Sequence, residues 1–391
     1  MRAFYANRYA VPFAFDSLAM RLFRPLALLC LLIAQVAVSS AGPLATPSDE
    51  PAQARQALLD ALATRPRDPV IAILALNEGT ETTDFLVPYG VLRQARAGQV
   101  EAVAVQAGDV TLMPALRIVP DTTLAAFDAR HPRGADIVIV PAMHDERDPR
   151  VLQWLQRQAA QGALIVGICS GARVLSQAGL LKGRRFTGHW FDRDDLRSAN
   201  PTGRYVANVR FLHDDGIVTT TGVSASLPLA LTLVEGIAGQ ARAIEVAEAL
   251  GVTDASAGHT SAGFALSAPR LWTIASNWLA FWRHETLAIP VSDGVDDVSL
   301  ALVSDAWSRT WRSQAYAVAS PTSSGHITLA SGLQLVTQDR QALRSAHVVK
   351  LPPDTTAMAR FTQTLDAIGQ RYGQAERDIV TLALEYADAS R

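Results

Sequence analysis

The stretch Gly167-Ile168-Cys169-Ser170-Gly171 constrains the fold of this chain more than any other. Before it runs an apolar segment, Ala163 to Val166, too short for a helix. After it, Ala172, Val174, Leu175 and Ala178 recur at helical spacing until Gly179, a C-terminal stop. A nucleophile at a strand-to-helix junction, with a glycine two residues away on each side, is an elbow with cysteine in the serine position. The small flanking residues permit a sharp, crowded turn that lifts the side chain above the sheet. The N-terminus of the next helix then faces the sulfur, and its dipole and free N–H groups favour thiolate over thiol. Cys169 is the candidate nucleophile.

The surrounding pattern alternates strand and helix. Val70–Leu76 reads as a buried parallel strand, a helix follows from about Thr83 to Ala97, and Val100–Val105 is the next strand. Val110–Leu112 and Leu116–Val119 suit a hairpin, Asp121–Phe127 a short helix, and Asp136–Val140 a strand leading into Pro141-Ala142-Met143-His144. Asp148 opens an amphipathic helix. Beyond the elbow, Tyr205–Leu212 and Ile217–Thr221 read as a hairpin, followed by helices over about Ser226–Ile237 and Gln240–Leu250. This order predicts a mostly parallel sheet covered on both faces, with ligands bound at the carboxyl ends of its strands, where Cys169 falls. Past Gly251 comes a Trp-rich helix candidate, Pro269–Trp282, and then the early pattern returns. Thr286–Gly294 resembles Ile73–Gly79, Ala315–Ser320 echoes Val100–Val105, Gly332–Val336 matches Ala115–Val119, and His347–Leu351 matches Asp136–Val140. The second copy stops before any second elbow.

Both ends of the chain narrow the function. Arg21 and Arg24 precede the apolar run Leu26–Val38, and Ser39-Ser40-Ala41 suits cleavage after Ala41, so the N-terminus reads as an export signal. The run falls short of the roughly 20 apolar residues of a membrane span; an uncleaved anchor is the alternative. Met20 makes a more compact start for such a signal. Either reading places the body outside the cytoplasm. Residues 42–68 read as a linker with one short helix around Ala52–Ala63. With Cys30 inside the apolar run, Cys169 is the single cysteine of the rest of the chain, which excludes an intramolecular disulfide framework there. A net charge of −2 and the lack of a basic block give nucleic-acid binding no support.

A thiolate needs partners that hold and tune it. Asp84 opens the helix after the first strand, on the same edge of a parallel sheet as the elbow. Pro88, four residues on, lacks the N–H that would bond to its carbonyl, so the helix is irregular there. A carboxyl beside a thiolate has a raised pKa, and once protonated can donate to sulfur. The alternative is a helix-opening acid that only balances the dipole. His189, twenty residues after Cys169, falls near the same edge and is a candidate proton carrier, or else a packed histidine beside Trp190. His144 is a further candidate for the pocket. No HxxxH or paired Cys/His spacing supports a metal, and no cofactor motif appears.

The elbow, the run ICSGARVLSQAGLLKGRRFTGHW and the later TTTGVSASLPLALTLVEG together resemble the DJ-1/PfpI superfamily, with its class I glutamine amidotransferase-like fold. Amidase-like sensor domains of AraC-type regulators and isonitrile hydratases are the nearest look-alikes. The resemblance covers residues 70–250 fully and 285–355 as a degraded half copy. It implies a flavodoxin-like α/β three-layer sandwich, a carboxylate that falls on Asp84 because Pro88 matches the family's proline, and a histidine that falls on His189. It also implies an oxyanion hole from the N–H of Ser170 and one from the loop after Val140. There Ala142-Met143 replaces the family's usual Gly-Gly, and alanine tolerates positive φ poorly, so the second donor is expected to be displaced. In the repeat, Ser299 stands opposite Asp84 and Val303 opposite Pro88, so the second copy lacks the acid as well as the cysteine.

The expected organisation is a signal or anchor over 1–41, a linker over 42–68, the elbow domain over 69–252, a connecting helical segment over 253–284 and a degenerate half-repeat over 285–391. Two functions stay open. One is an exported cysteine enzyme acting on a small carbonyl, amide or isonitrile carbon, with Cys169 attacking, Asp84 holding the thiol, His189 moving protons and Ser170 N–H steadying the oxyanion. The other is a non-catalytic ligand-binding or redox-sensing protein that uses Cys169 as an oxidisable thiol. Expected partners are a small molecule, with a homodimer or an intramolecular pseudo-dimer as the assembly, and no nucleic acid.

Overall fold

The structure is a computed structural model that describes residues 49–319, 325–352 and 354–386. The expected signal or anchor over 1–41 lies outside them. A helix, α1 (Glu50–Ala63), opens the described chain. Then come β1 (Val70–Ala75), β2 (Thr80–Glu81), α2 (Thr82–Ala95), β3 (Gln99–Ala104) and the hairpin β4 (Val110–Met113) with β5 (Leu116–Val119). Next are β6 (Thr122–Thr123), α3 (Leu124–Arg130), β7 (Ile137–Val140), α4 (Pro149–Ala160), β8 (Leu164–Gly167) and the elbow helix α5 (Gly171–Gln177). A small parallel pair, β9 (Arg185–Phe186) and β10 (Arg204–Tyr205), brackets α6 (Arg193–Ala199). The antiparallel pair β11 (Phe211–Asp214) and β12 (Ile217–Thr220) leads into α7 (Ser226–Ala238) and α8 (Gln240–Leu250).

Seven strands form the main sheet in the order β11-β12-β8-β7-β1-β3-β6, parallel except for β11. β1, β7 and β8 are almost wholly buried, as their unbroken apolar runs require for a sheet covered on both faces. One core lies on each face: Phe85, Leu86 and Leu229 belong to one, Trp154, Leu155 and Phe186 to the other. Two expectations are corrected. The short helix expected around Ala52–Ala63 is present as α1, but it belongs to the fold rather than to a linker: Leu58 and Leu62 are buried in the first core, and α1 packs on α7 and β11. Tyr205–Leu212 is not one strand. Tyr205 pairs with Phe186 in the small sheet, and the ladder to β12 begins only at Phe211.

The chain continues through α9 (Ala268–Leu279) to β13 (Glu285–Val291), α10 (Asp297–Ser308), β14 (Ser313–Ala319), β15 (His326–Thr328), β16 (Gln334–Val336) and β17 (His347–Val348). It ends in α11 (Ala357–Tyr372) and α12 (Gln374–Ala383). Here β13 is flanked by β14 and β17, all parallel, just as β1 is flanked by β3 and β7. The hairpins of the two halves join edge to edge, β16 against β5, in one five-stranded sheet. Helix α10 packs along α2, and at their closest approach a Cβ on Gly90 would stand 2.8 Å from that of Asp297. The two halves thus face each other within one chain. Where Asp84 stands in the first, Ser299 stands in the second, its hydroxyl accepting from Arg360 at 2.6 Å.

Candidate functional site

Cys169 sits between the last residue of β8 and the first turn of α5 with φ of 54°. A side-chain-bearing residue held there stores strain of about 1–3 kcal/mol, which the turn around it must outweigh. Gly167 and Gly171 serve a different need. Neither has positive φ, but a Cβ on Gly171 would lie 2.1 Å from the Val140 carbonyl oxygen, and one on Gly167 2.8 Å from Leu175 Cδ1. The glycines supply room, and the cysteine takes the unusual dihedral. The Cys169 N–H donates to Thr220 Oγ1 at 3.0 Å, which ties the elbow to the end of β12. Within the turn, the Gly171 N–H returns to Ile168 and that of Ala172 to Cys169.

Asp84 is fully buried in the first turn of α2. Its Oδ2 accepts from the Ala142 N–H at 3.1 Å, while Oδ1 has no hydrogen-bond partner. Burial, reinforced by the neighbouring Glu81 charge, pushes this carboxyl well above its ordinary range, against the pull of the Ala142 N–H and Arg309. The shift favours the carboxylic acid, and the unpartnered Oδ1 is the oxygen open to a proton. Cys169 is only 8% exposed. Burial, and after it the Asp84 charge, pushes the thiol up as well, and the charge of Arg309 acts the other way. The helix-dipole expectation of a resting thiolate is thus opposed by enclosure, which favours the thiol at Cys169 and the acid at Asp84.

The loop after β7 accounts for the fate of the second oxyanion donor. Ala142 O accepts from Glu81 N at 2.9 Å, Met143 bridges to Thr80, and the His144 N–H donates to Gly79 O at 2.9 Å. Neither Ala142 nor Met143 takes positive φ. Stitched to β2 in this way, the loop spends its Ala142 N–H on Asp84 rather than on a pocket. Ser170, whose N–H is the other expected donor, gives its hydroxyl to Asp192, which also accepts from Arg173 at 3.1 Å; that bond leaves the Ser170 N–H uncommitted. Arg173 reaches Glu146 too, so α5 is anchored through its first turn to the loop after β7.

His189 lies near the expected edge, its Cδ2 against Gly222 just past β12, but its ring is engaged with backbone. Its Nδ1 accepts from the Phe191 N–H at 3.3 Å, and Nε2 faces the Ala383 carbonyl at 3.2 Å, which fixes the proton on Nε2. Both ring nitrogens are engaged with backbone, so the ring holds the C-terminal segment and has no nitrogen left to carry a proton for Cys169. Around it Glu385, 1% exposed, accepts from the Gly222 N–H at 2.7 Å and pairs with His259 at 2.9 Å.

Sequence reasoning missed the groups that balance charge beneath the thiol. Glu81 caps α2, accepting from the Asp84 N–H at 2.6 Å and the Thr83 hydroxyl at 2.8 Å. Arg309, just past α10, donates to Glu81 and, at 2.9 Å, to Asp305. Asp305 is pushed up to about 8 by burial, with Arg309 pulling it back. The half-repeat thus supplies the cation of the site. Its alignment with α2 was the one signal that pointed to this segment. Among the described residues, no group of three or more His, Cys, Asp or Glu side chains is arranged to hold a metal.

Residues 70–236 match the sequence model of the DJ-1/PfpI family. Over 161 residues the chain is 34% identical to isonitrile hydratase of Pseudomonas putida, covering 40% of this chain and 67% of that protein. Over 182 residues it is 30% identical to the Parkinson disease protein 7 homolog of Danio rerio, covering 45% and 93%. Over 100 residues it is 36% identical to the HTH-type transcriptional regulator CdhR of Pseudomonas aeruginosa, covering 26% and 30%. The chain belongs to the DJ-1/PfpI family.

Proposed function

We propose that this chain is an exported cysteine-dependent enzyme that adds the Cys169 thiol to a small electrophilic carbon, such as that of an aldehyde or an isonitrile. The observation that carries the reading is the buried, unpartnered Oδ1 of Asp84, the group that, after burial itself, most influences the thiol of Cys169 at the elbow. A thiol and a carboxylic acid together can add to a multiple bond without a separate base. With an isonitrile, the Cys169 sulfur and the proton of Asp84 both add to the terminal carbon and the resulting carboxylate takes the thiol proton, leaving a thioimidate that water hydrolyses to the formamide and the free thiol. With a 2-oxoaldehyde, the sulfur bonds to the aldehyde carbon while its oxygen takes the Asp84 proton; transfer of that carbon's hydrogen to the neighbouring carbonyl gives a 2-hydroxyacyl thioester, which water hydrolyses. Amide hydrolysis fits less well, because its tetrahedral oxyanion relies on two aimed donors and the Ala142 N–H is occupied. One relative is an isonitrile hydratase, an activity that lies within this class. The engaged ring of His189 and the near-enclosed thiol favour a second reading, a redox-sensing protein.

Full-length protein and its Cys169→Ala variant, incubated with methylglyoxal, an isonitrile and a small amide, distinguish the two. Turnover of either of the first two, lost in Cys169→Ala, supports the enzyme. No turnover and no mass adduct on Cys169, with peroxide converting it to a sulfinate, overturns the enzyme in favour of the sensor.

A further inference from the structure

Seven large apolar side chains are exposed among the described residues, and five of them, Trp272, Trp278, Leu279, Phe281 and Trp282, fall within eleven positions. A monomeric soluble surface scatters such residues singly; a contiguous aromatic patch marks a docking face. Helix α9 is seated by its other side: Ile274 is buried and Asn277 donates to the Thr310 carbonyl at 3.1 Å. Trp272 and Leu279, seven residues apart, share the outward face. Phe281 and Trp282 follow it in the next turn, their rings edge to face at 5.2 Å. Trp272, Phe281 and Trp282 are each at least two-thirds exposed.

Two further observations select the occupant. The first is charge. From Ala255 to His284 the chain has no Asp or Glu, while Arg270 and Arg283 stand at the two ends of the aromatic stretch. An aromatic stretch framed by arginines and without acids of its own suits the headgroup layer of an anionic bilayer, where tryptophan is favoured. The second is where the N-terminal chain leaves the described structure. Ala54, in the second turn of α1, clusters with Val206, Val209 and Leu212. Val209 bridges Gly258, and Asn208 and Ser261 exchange hydrogen bonds at 3.0 and 3.1 Å, six residues before α9 is capped by Ser267. The start of α1 and the lead into α9 thus share one flank. The apolar run 26–38 precedes Glu50 by residues 39–49 only, a reach of at most about 35–40 Å.

We infer that the face made by Trp272, Leu279, Phe281 and Trp282 docks into the interfacial layer of an anionic lipid bilayer. This goes beyond the catalytic reading and does not depend on it. It does not depend either on whether residues 26–38 are cleaved off as a signal or kept as the alternative anchor, since the two contacts are separable by tryptophan emission. The chain has seven tryptophans and none before Trp154. Trp154 and Trp307 are buried. Trp190 and Trp311 are half-buried and lie outside the face, so quenching that is lost in a variant of the face reports on it, and not on residues 26–38.

Full-length protein is mixed with vesicles of phosphatidylcholine and phosphatidylglycerol carrying brominated acyl chains, and emission is compared with unbrominated vesicles. The expected result is a blue shift with strong quenching, weaker on phosphatidylcholine alone. Most of both is lost in Trp272→Ser/Phe281→Ser/Trp282→Ser, with the thermal midpoint retained because these side chains are exposed. Three results overturn the inference: vesicle-bound protein whose emission bromine leaves unchanged, quenching equal in the variant, or no vesicle binding. A wild-type dimer in sedimentation that the triple variant converts to monomer overturns it too, and assigns the face to a second copy.

Discussion

Replacing Arg309 by methionine tests whether the half-repeat belongs to the site. The guanidinium binds Glu81 and Asp305, whose side chains are 8% and 0% exposed, and is itself 27% exposed. Removing one partner of a buried pair costs about 3–5 kcal/mol, because the other charge is left uncompensated. Two features reduce that here. Asp305, at about 8, carries its own proton near neutral pH, and Glu81 keeps its bonds from Asp84 N–H and the Thr83 hydroxyl. Together with the partial exposure of Arg309, they bring the expected loss to about 2–3 kcal/mol. Thermal unfolding near pH 7 should show a midpoint several degrees lower. Adding Glu81→Gln should recover more than half of the loss, since the orphaned charge disappears with it. The same substitution removes the cation that favours the thiolate, so the pH profile of iodoacetamide alkylation at Cys169 should move further up. Arg309→Lys should keep the alkylation profile closer to that of the parent. An unchanged midpoint together with an unchanged alkylation profile in Arg309→Met would refute the reasoning.

In the intact protein, Cys169 should alkylate slowly at pH 7 and titrate above the ordinary thiol range of about 8.5; fast reaction at pH 7 would contradict a resting thiol. Burial holds Asp297 at about 6 against an ordinary 3.8. Its contribution is full below pH 4 and is lost as pH rises through 6, about 3 kcal/mol in all. Asp297→Asn, whose amide can still serve Ser331, should flatten that part of the stability profile in urea titrations at pH 4 to 8; an unaltered slope would count against it. Gly171→Ala drives a methyl into the Val140 carbonyl and should cost about 3 kcal/mol or more, read as loss of soluble protein or of thermal midpoint; a variant of parental stability would mean the elbow can open. Export predicts a mature N-terminus following Ala41 by mass spectrometry, and an intact N-terminus on soluble cytoplasmic protein would exclude it.

The local code of this chain is complete in places. Apolar runs of strand length separated by helical periodicity specify the parallel sheet, and the glycine spacing around Cys169 specifies the elbow, because both depend on neighbours a few residues away. The half-repeat is legible for the same reason: its strands carry the same pattern and lack the nucleophile. What pattern cannot encode is which buried face meets which. Whether the Ala142 N–H serves an oxyanion or Asp84 depends on β2 lying beside the loop after β7. His189 has the right position in sequence for a proton carrier, yet a carbonyl 194 residues away takes its ring. Glu81 reads as an ordinary cap until Arg309 arrives from 228 residues downstream. By itself, the sequence determined one nucleophile on one elbow. Only the tertiary structure decided its protonation and its counter-charge, because the energy of a buried ionisable group is set by what packs around it rather than by what adjoins it in the chain.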